Sequence, residues 1–212
     1  TPVRFDAGTV GVWNRRLRVN GLGLLEGVDN GGVEQVRSMR LVATVGGQQV
    51  AITPSEPKLA RRAENAVTVE GTGAGAGLKL AASTRVEFDG FVLSDLTIAP
   101  ADPAAGAKID KLTLEVVLPE SEATHYCTTA GGWAAVHDET PAYWSSRQTA
   151  SGLLIGDFVP YIWLTNSDRA FAWFADNDRG WITDDDKSLP TQEIVREGGQ
   201  VACWGSNHDK PF

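Results

Sequence analysis

The sequence predicts an all-β protein built as an antiparallel β-sandwich, and three observations predict it. Short apolar runs alternate with polar residues at a period of two, turn-forming residues (Gly, Pro, Asn and Asp) separate these runs, and helical periodicity is almost absent. Many short strands joined by such turns favour two packed antiparallel sheets. We expect a single sandwich domain over residues 1–212, either of ordinary size or of the large supersandwich type found in galactose mutarotases.

The strand pattern is clearest at Lys111–Leu118, where every even-numbered position is apolar. The dipeptide Asp89-Gly90 predicts a tight turn between two further strands. Pro57–Glu64 is the best helix candidate, and we expect the glycine-rich segment Thr72–Gly77 to be a flexible surface turn. The other strands predicted in this part of the chain are Thr9–Trp13, Met39–Val45, Gln49–Ile52, Ala66–Glu70, Leu78–Phe88 and Phe91–Ala99.

A second hairpin is predicted in the C-terminal half of the chain. The aromatic runs Tyr161–Leu164 and Phe171–Phe174 flank the polar segment Thr165–Arg169, which has the composition of a turn. Trp163 and Trp173 alternate with other apolar residues within these runs, so we expect both indole rings in the core.

The charge of the chain excludes several classes of function. The formal net charge is −8 and the pI is about 4.9, and no extended run of Lys and Arg offsets this acidity. Such a surface repels nucleic acid and anionic membranes. No apolar run approaches the roughly 18 residues that a membrane-spanning helix needs. We therefore expect neither nucleic acid nor a membrane as a partner.

The two cysteines, Cys127 and Cys203, both lie in strand-like sequence and are most simply read as small buried apolar residues. A disulfide between them is the alternative, and it would suit an exported protein. Their spacing lacks the CxxC pattern of a structural zinc site.

Aromatic residues concentrate after about residue 125, where six of the seven tryptophans and all three tyrosines lie. Several of them fall in Ala130–Ser151, which we predict to be one long loop because it has no clear periodicity. Exposed Trp and Tyr rings commonly stack on the flat faces of sugars. The predicted carbohydrate-stacking residues are Trp133, Tyr143, Trp144 and Trp181, with ordinary packing or docking on a neighbouring domain as the alternatives.

An acidic segment supplies further candidate ligands. Asp176 and Asp178 are predicted to bind sugar hydroxyls or a calcium ion, and together with Asp184 they occupy positions one, three and nine of an oxygen-rich loop. The match to a calcium-binding loop is incomplete because Gly180 is one position early and Lys187 stands where a bidentate Glu would close the loop. A solvated acidic turn is the simpler interpretation, so no metal or cofactor is predicted beyond this calcium candidate.

No catalytic residue is predicted. Carboxylate pairs suited to glycoside hydrolysis arise easily among 27 acidic residues, and a turn role explains the pair near Gly90 without catalysis. The histidines have no metal-binding spacing, and Tyr126 beside His125 would point to the opposite face of its strand. The groups considered are the pairs Glu87/Asp89 and Asp138/Glu139 and the histidines His125, His137 and His208.

Four segments within about residues 75–205 occur in a recognisable order, and the pattern Trp-Phe-x-x-x-Asp-x-Gly-Trp at residues 173–181 is the most specific element. The segments are Arg85-Val-Glu-Phe-Asp-Gly90, Lys111-Leu-Thr-Leu-Glu-Val-Val-Leu-Pro119, Phe158-Val-Pro-Tyr-Ile-Trp163 and Ala172-Trp-Phe-Ala-Asp-Asn-Asp-Arg-Gly-Trp181. In this order they resemble the β-sandwich region of large bacterial glycoside-hydrolase-like proteins, the domain of unknown function family 6067, which is distantly similar to glycoside hydrolase family 123.

In that family the sandwich precedes a (β/α)8 barrel that holds the catalytic acids. The resemblance implies that this chain is a non-catalytic carbohydrate-binding or accessory domain, excised from a secreted or periplasmic glycoside hydrolase that degrades polysaccharide. Its expected partners are a carbohydrate and the barrel of the same chain, although nothing resembling a barrel begins before Phe212. The alternatives are a stand-alone sandwich-fold hydrolase or polysaccharide lyase, and a structural domain whose aromatic patch docks on the barrel.

Overall fold

The computed structural model describes residues 2–129, 135–146, 158–175 and 190–208, and nearly all of the regular structure there is antiparallel β-strand. The predicted all-β, sandwich-like fold class is thereby confirmed. The chain divides into two compact units, one ending at Asp110 and one beginning at Lys111. The expected single-domain organisation stays a prediction. No helix among the described residues is long and apolar enough to cross a membrane.

The unit that ends at Asp110 contains twelve strands. Five of them form a sheet in chain order: β1 Arg4–Asp6, β2 Thr9–Val12, β3 Arg15–Val19, β4 Leu25–Asn30 and β5 Val33–Val36. The others are β6 Ser38–Val45, β7 Gln48–Ala51, β8 Thr53–Pro54, β9 Lys58–Arg62, β10 Ala66–Gly75, β11 Leu78–Glu87 and β12 Val92–Pro100. Strands β6 and β7 form a hairpin, whereas β12, β11 and β10 form a second sheet in which β8 and β9 both pair with β10.

All six strands predicted for this unit are present, and Asp89-Gly90 lies in the turn between β11 and β12, with Gly90 at a φ of 91°. The predicted helix at Pro57–Glu64 is wrong. Its residues form β9, which pairs antiparallel with β10 and is exposed along its whole length. The segment has no apolar stripe that could bury one face of a helix, so pairing with a long neighbouring strand decides its conformation.

The prediction of a flexible turn at Thr72–Gly77 is wrong for its first four residues, because β10 continues to Gly75 and only Ala76 and Gly77 form the turn before β11. Glycines at alternate positions of β10 leave room for the loop that contains the fully buried Leu22. A Cβ atom built on Gly73 would lie 2.9 Å from both methyl carbons of Leu22, and one on Gly71 would lie 2.5 Å from the carbonyl oxygen of Gly21. The glycines therefore permit close packing on a regular strand.

The change Gly73→Val should destabilise this unit by about 1–3 kcal/mol, because the new side chain would overlap Leu22 in a filled core. The measurement is the free energy of unfolding in urea. Ala74→Val is the matched control, because Ala74 is the exposed neighbour on the other face of β10 and its change should alter stability by about 0.5 kcal/mol or less. Equal effects of the two changes would contradict the packing role of Gly73.

Among its described residues, the unit that begins at Lys111 contains eight strands, and their pairing places them in two groups of four. The strands are β13 Lys111–Pro119, β14 His125–Thr129, β15 Ala135–Glu139, β16 Tyr143–Ser145, β17 Tyr161–Thr165, β18 Ala170–Phe174, β19 Gln192–Glu197 and β20 Gln200–His208, with a 3₁₀ turn at Glu120–Glu122. In one group of four the order is β16-β19-β20-β13, and in the other it is β15-β14-β17-β18. The predicted strand at Lys111–Leu118 and the predicted hairpin of β17 and β18 are both confirmed.

Side chains from both sheets meet in the core of this unit. Ile162 of β17, Ile194 of β19 and Leu118 of β13 are all fully buried. The buried Gln192 joins the sheets by hydrogen bonds: its Nε2 donates to the carbonyl oxygen of Val159 and its Oε1 accepts from the amide of Val159, each at 2.7 Å. The segment before β17 is thus fixed to β19 in the way that a neighbouring strand would be.

Candidate functional site

Four of the six predicted carbohydrate-binding residues lie outside the described part of the chain: Trp133, Trp181, Asp176 and Asp178. Asp184, the third acid of the calcium-loop hypothesis, also lies outside it. The calcium hypothesis therefore stays a prediction. Within the described residues, no three His, Cys, Asp or Glu side chains are grouped so as to hold a metal ion.

Trp144 is not an exposed stacking surface, which corrects the sequence-based prediction. It lies in β16, it is 2% exposed, and its ring contacts that of Tyr126 on the other sheet at a centroid distance of 6.0 Å. The predicted loop at Ala130–Ser151 in fact includes two strands, β15 and β16. Strand β16 pairs with β19, which directs Trp144 into the core.

Tyr143, the neighbour of Trp144, has the exposure that the prediction required. Its side chain is 48% exposed at the edge of its sheet, because β16 has no second strand partner among the described residues. Its phenol donates a hydrogen bond of 2.9 Å to Oε1 of Glu193, whose Oε2 lies 4.0 Å from Nζ of Lys111. The ring is therefore held on a charged surface, on the opposite sheet from the aromatic hairpin.

Trp163 was expected in the core, and the structure shows that this was wrong. The side chains of β17 alternate strictly: Ile162 and Leu164 are buried, whereas Trp163 is 48% exposed. Trp173 on β18 is partly buried and meets Phe158 edge-on at a centroid distance of 6.4 Å, so it packs at the border of the core. The core side of the hairpin therefore carries Ile162 and Leu164 together with the partly buried Phe171 and Trp173, and its other side carries the exposed rings.

Three rings form the outward surface of the hairpin, which we call the aromatic face: Tyr161, Trp163 and Phe174. The ring centroids of Tyr161 and Trp163 are 6.4 Å apart with the planes tilted by 59°, and Phe174, opposite Tyr161 in register, is 51% exposed. Opposite Trp163 stand Cys127 on β14 and Ala172 on β18. Both neighbours are small, which is consistent with an indole side chain that is 48% exposed.

Polar residues border the aromatic face at the end nearest the β17–β18 turn. Thr165 stands opposite His125, which in turn stands opposite Glu139 on β15. The hydroxyl of Thr124 lies 3.0 Å from Nδ1 of His125. An open aromatic surface beside hydroxyl, imidazole and carboxylate groups can stack on a sugar ring and hydrogen-bond its hydroxyls.

A partly buried ion pair holds the turn of this hairpin. Glu122, which is 3% exposed, accepts hydrogen bonds from Nε of Arg169 at 2.7 Å and from Nη2 of Arg169 at 2.8 Å. These bonds raise the pKa of the Arg169 guanidinium, which is charged at any ordinary pH. Asn166 also binds Glu122, and its Oδ1 accepts from the amides of Asp168 and Arg169. The 3₁₀ turn thereby fixes the position of the hairpin that displays Trp163.

The change Glu122→Ala should lower the free energy of unfolding by about 2 kcal/mol, because it removes charge-assisted hydrogen bonds from a buried carboxylate. Thermal and urea unfolding would measure the effect. Glu120→Ala is the matched control in the same 3₁₀ turn. The Glu120 side chain is 46% exposed, and its ion pair with Arg196 is long, at 3.7 Å between the two charged groups. Its loss should therefore change the free energy of unfolding by less than about 1 kcal/mol. A Glu122→Ala variant that is as stable as the native chain would show that the ion pair between Glu122 and Arg169 does not stabilise the hairpin turn.

Both cysteines are free thiols, in agreement with the simpler of the two sequence-based interpretations. Cys203 lies in the core, and burial raises the pKa of its thiol to about 12. Cys127 is partly exposed and stands opposite Trp163 on the aromatic face. The two thiols should therefore differ strongly in reactivity.

A thiol reagent such as Ellman's reagent should release one equivalent from the native chain and two after denaturation. At pH 8, a pKa of about 12 leaves about one Cys203 thiol in ten thousand ionised, and only the thiolate reacts. Cys127→Ser should abolish the reaction of the native chain with the reagent. In denaturant the variant should still react with one equivalent, through Cys203. Two rapidly reacting thiols in the native chain would contradict the difference in reactivity, and no reacting thiol after denaturation would contradict the assignment of both cysteines as free thiols.

Two of the acids considered for catalysis have structural roles. Glu87 forms an ion pair of 3.1 Å with Arg85, and Oδ1 of Asp89 accepts from the amide of Phe91 within the β11–β12 turn. Burial, and to a lesser extent the charge of Asp138, raises the pKa of Tyr126, so its phenol is neutral and a poor proton acceptor.

No model of a protein family matches the chain, and no curated protein matches it in sequence. The assignment of a function therefore depends on the geometry of the described residues and on the aromatic face above all.

Proposed function

We propose that this chain is a non-catalytic carbohydrate-binding β-sandwich domain, accessory to an exported glycoside hydrolase, and that the aromatic face is its binding surface. The observation that supports binding is the exposure of Trp163 between two small neighbours, Cys127 and Ala172. A fully buried indole packs on all sides, whereas a half-exposed indole offers part of its flat ring to a pyranose ring.

The aromatic face replaces the predicted loop surface in this proposal. Trp144 is no longer proposed as a stacking residue because it is buried. Tyr143 is not part of the aromatic face because it lies on the other sheet of the same unit. Trp133, Trp181, Asp176 and Asp178 stay predicted contacts. The proposed partners are a poly- or oligosaccharide and, from the resemblance to family 6067, a catalytic barrel in the parent protein, with a secreted or periplasmic location.

Trp163→Ala should reduce the affinity of the chain for its glycan at least roughly tenfold, since one lost stacking contact of about 1.4 kcal/mol corresponds to that factor. Affinity gels and isothermal titration calorimetry would measure binding, with a reducing-sugar assay to detect any turnover. Trp163→Phe, which keeps an aromatic ring, should retain part of the affinity.

Trp13→Ala is the matched control, because Trp13 is a tryptophan of the other unit that is 82% exposed. It should leave binding unchanged. Loss of binding in Trp13→Ala but not in Trp163→Ala would contradict the aromatic face as the binding surface. Release of sugar by the native chain would instead favour the alternative of a stand-alone hydrolase or lyase, and the absence of any glycan binding would favour a structural role.

A further inference from the structure

The described side chains of the aromatic face and its border include few charged groups. Among the side chains of this face that the structure describes, Glu139 is the only carboxylate, and none is a lysine or an arginine. The nearest arginine along the hairpin, Arg169, is engaged by Glu122. Sites for uronates and sulfated sugars use arginine or lysine to bind the anion. The net charge of −8 over the whole chain further opposes an anionic ligand.

The rings of the aromatic face are not coplanar. The planes of Tyr161 and Trp163 differ by 59°, although the two residues lie on the same side of one strand. Two rings tilted in this way cannot both lie flat on the planar surface of a crystalline polysaccharide. A single glycan chain in solution can twist between neighbouring sugar units and place one unit on each ring.

The spacing of the two rings fits the same kind of ligand. The centroids of Tyr161 and Trp163 are 6.4 Å apart, which is close to the length of one sugar unit in a glycan chain. Contacts to both rings thus require at least two linked units. A monosaccharide can occupy only one of them.

We propose that the aromatic face selects a neutral, soluble glycan chain and binds two linked sugar units, one on Tyr161 and one on Trp163; this rests on the proposed function. The border residues His125 and Glu139 supply hydrogen-bonding groups beside the Trp163 end, whereas the hydroxyl of Thr165 donates to backbone carbonyl oxygens of its own turn. Selection against anionic glycans follows from the absence of cations among the described residues of the face, and selection against crystalline surfaces follows from the ring tilt.

The test is a binding panel for the 212-residue chain with three groups of ligand: neutral soluble glucans, xylans, mannans and galactans; polygalacturonate, alginate and a sulfated glycan; and crystalline cellulose and chitin. We expect binding within the neutral soluble group alone. For the preferred glycan, a disaccharide or trisaccharide should bind roughly tenfold more tightly than the monosaccharide. Tyr161→Ala should remove most of the gain in affinity from monosaccharide to disaccharide. Trp163→Ala should weaken the binding of the monosaccharide, disaccharide and trisaccharide alike.

Tyr143→Ala is the control in the same unit, because Tyr143 is as exposed as Trp163 but lies on the other sheet. It should leave the panel unchanged. Strongest binding to an anionic or crystalline ligand, still lost in Trp163→Ala, would overturn this inference and leave the proposed function standing. Equal affinity for monosaccharide and disaccharide would overturn the two-unit site. Binding to no ligand at all would overturn both proposals.

Discussion

The aromatic face exists because β17 must alternate its side chains between the core and the surface. Ile162 and Leu164 occupy the core positions and are completely or almost completely buried, which leaves Tyr161 and Trp163 on the outer side. A register slip of one residue would exchange the two sets and place the indole inside. The ion pair between Glu122 and Arg169 holds the turn that follows β17, so a contact outside the aromatic face helps to fix how the rings are displayed.

The hairpin itself was predictable from the sequence, but the direction of its faces was not. Every position from Tyr161 to Leu164 is apolar, so periodicity identifies a strand without indicating which side is buried. The available signal was chemical. Aliphatic Ile162 and Leu164 fill a dry core without unsatisfied groups, whereas the Tyr and Trp rings bear polar atoms that are easily satisfied at a surface.

The burial of Trp144 is a second feature that the sequence did not predict, because it depends on a strand pairing between distant residues. Strand β16 has three residues and pairs with β19 about fifty positions further along the chain, so local patterning could not reveal it. The same holds for β9, which depends on β10, and for the glycines of β10, whose purpose appears only when Leu22 packs against them. Regular strands with strong alternation, such as β13, were predictable because their own sequence determines both their conformation and their buried face.

A sugar-binding role explains the aromatic face better than docking on another domain. Docking surfaces bury their central rings against closely packed side chains, and a flat, continuous apolar patch serves that purpose. Here the rings of Tyr161 and Trp163 are tilted, and small residues flank Trp163 on both neighbouring strands. Such a surface has ring faces open to stacking and polar groups at one border. Both features match the alternating apolar faces and hydroxyl edges of a glycan chain more closely than the surface of a folded protein.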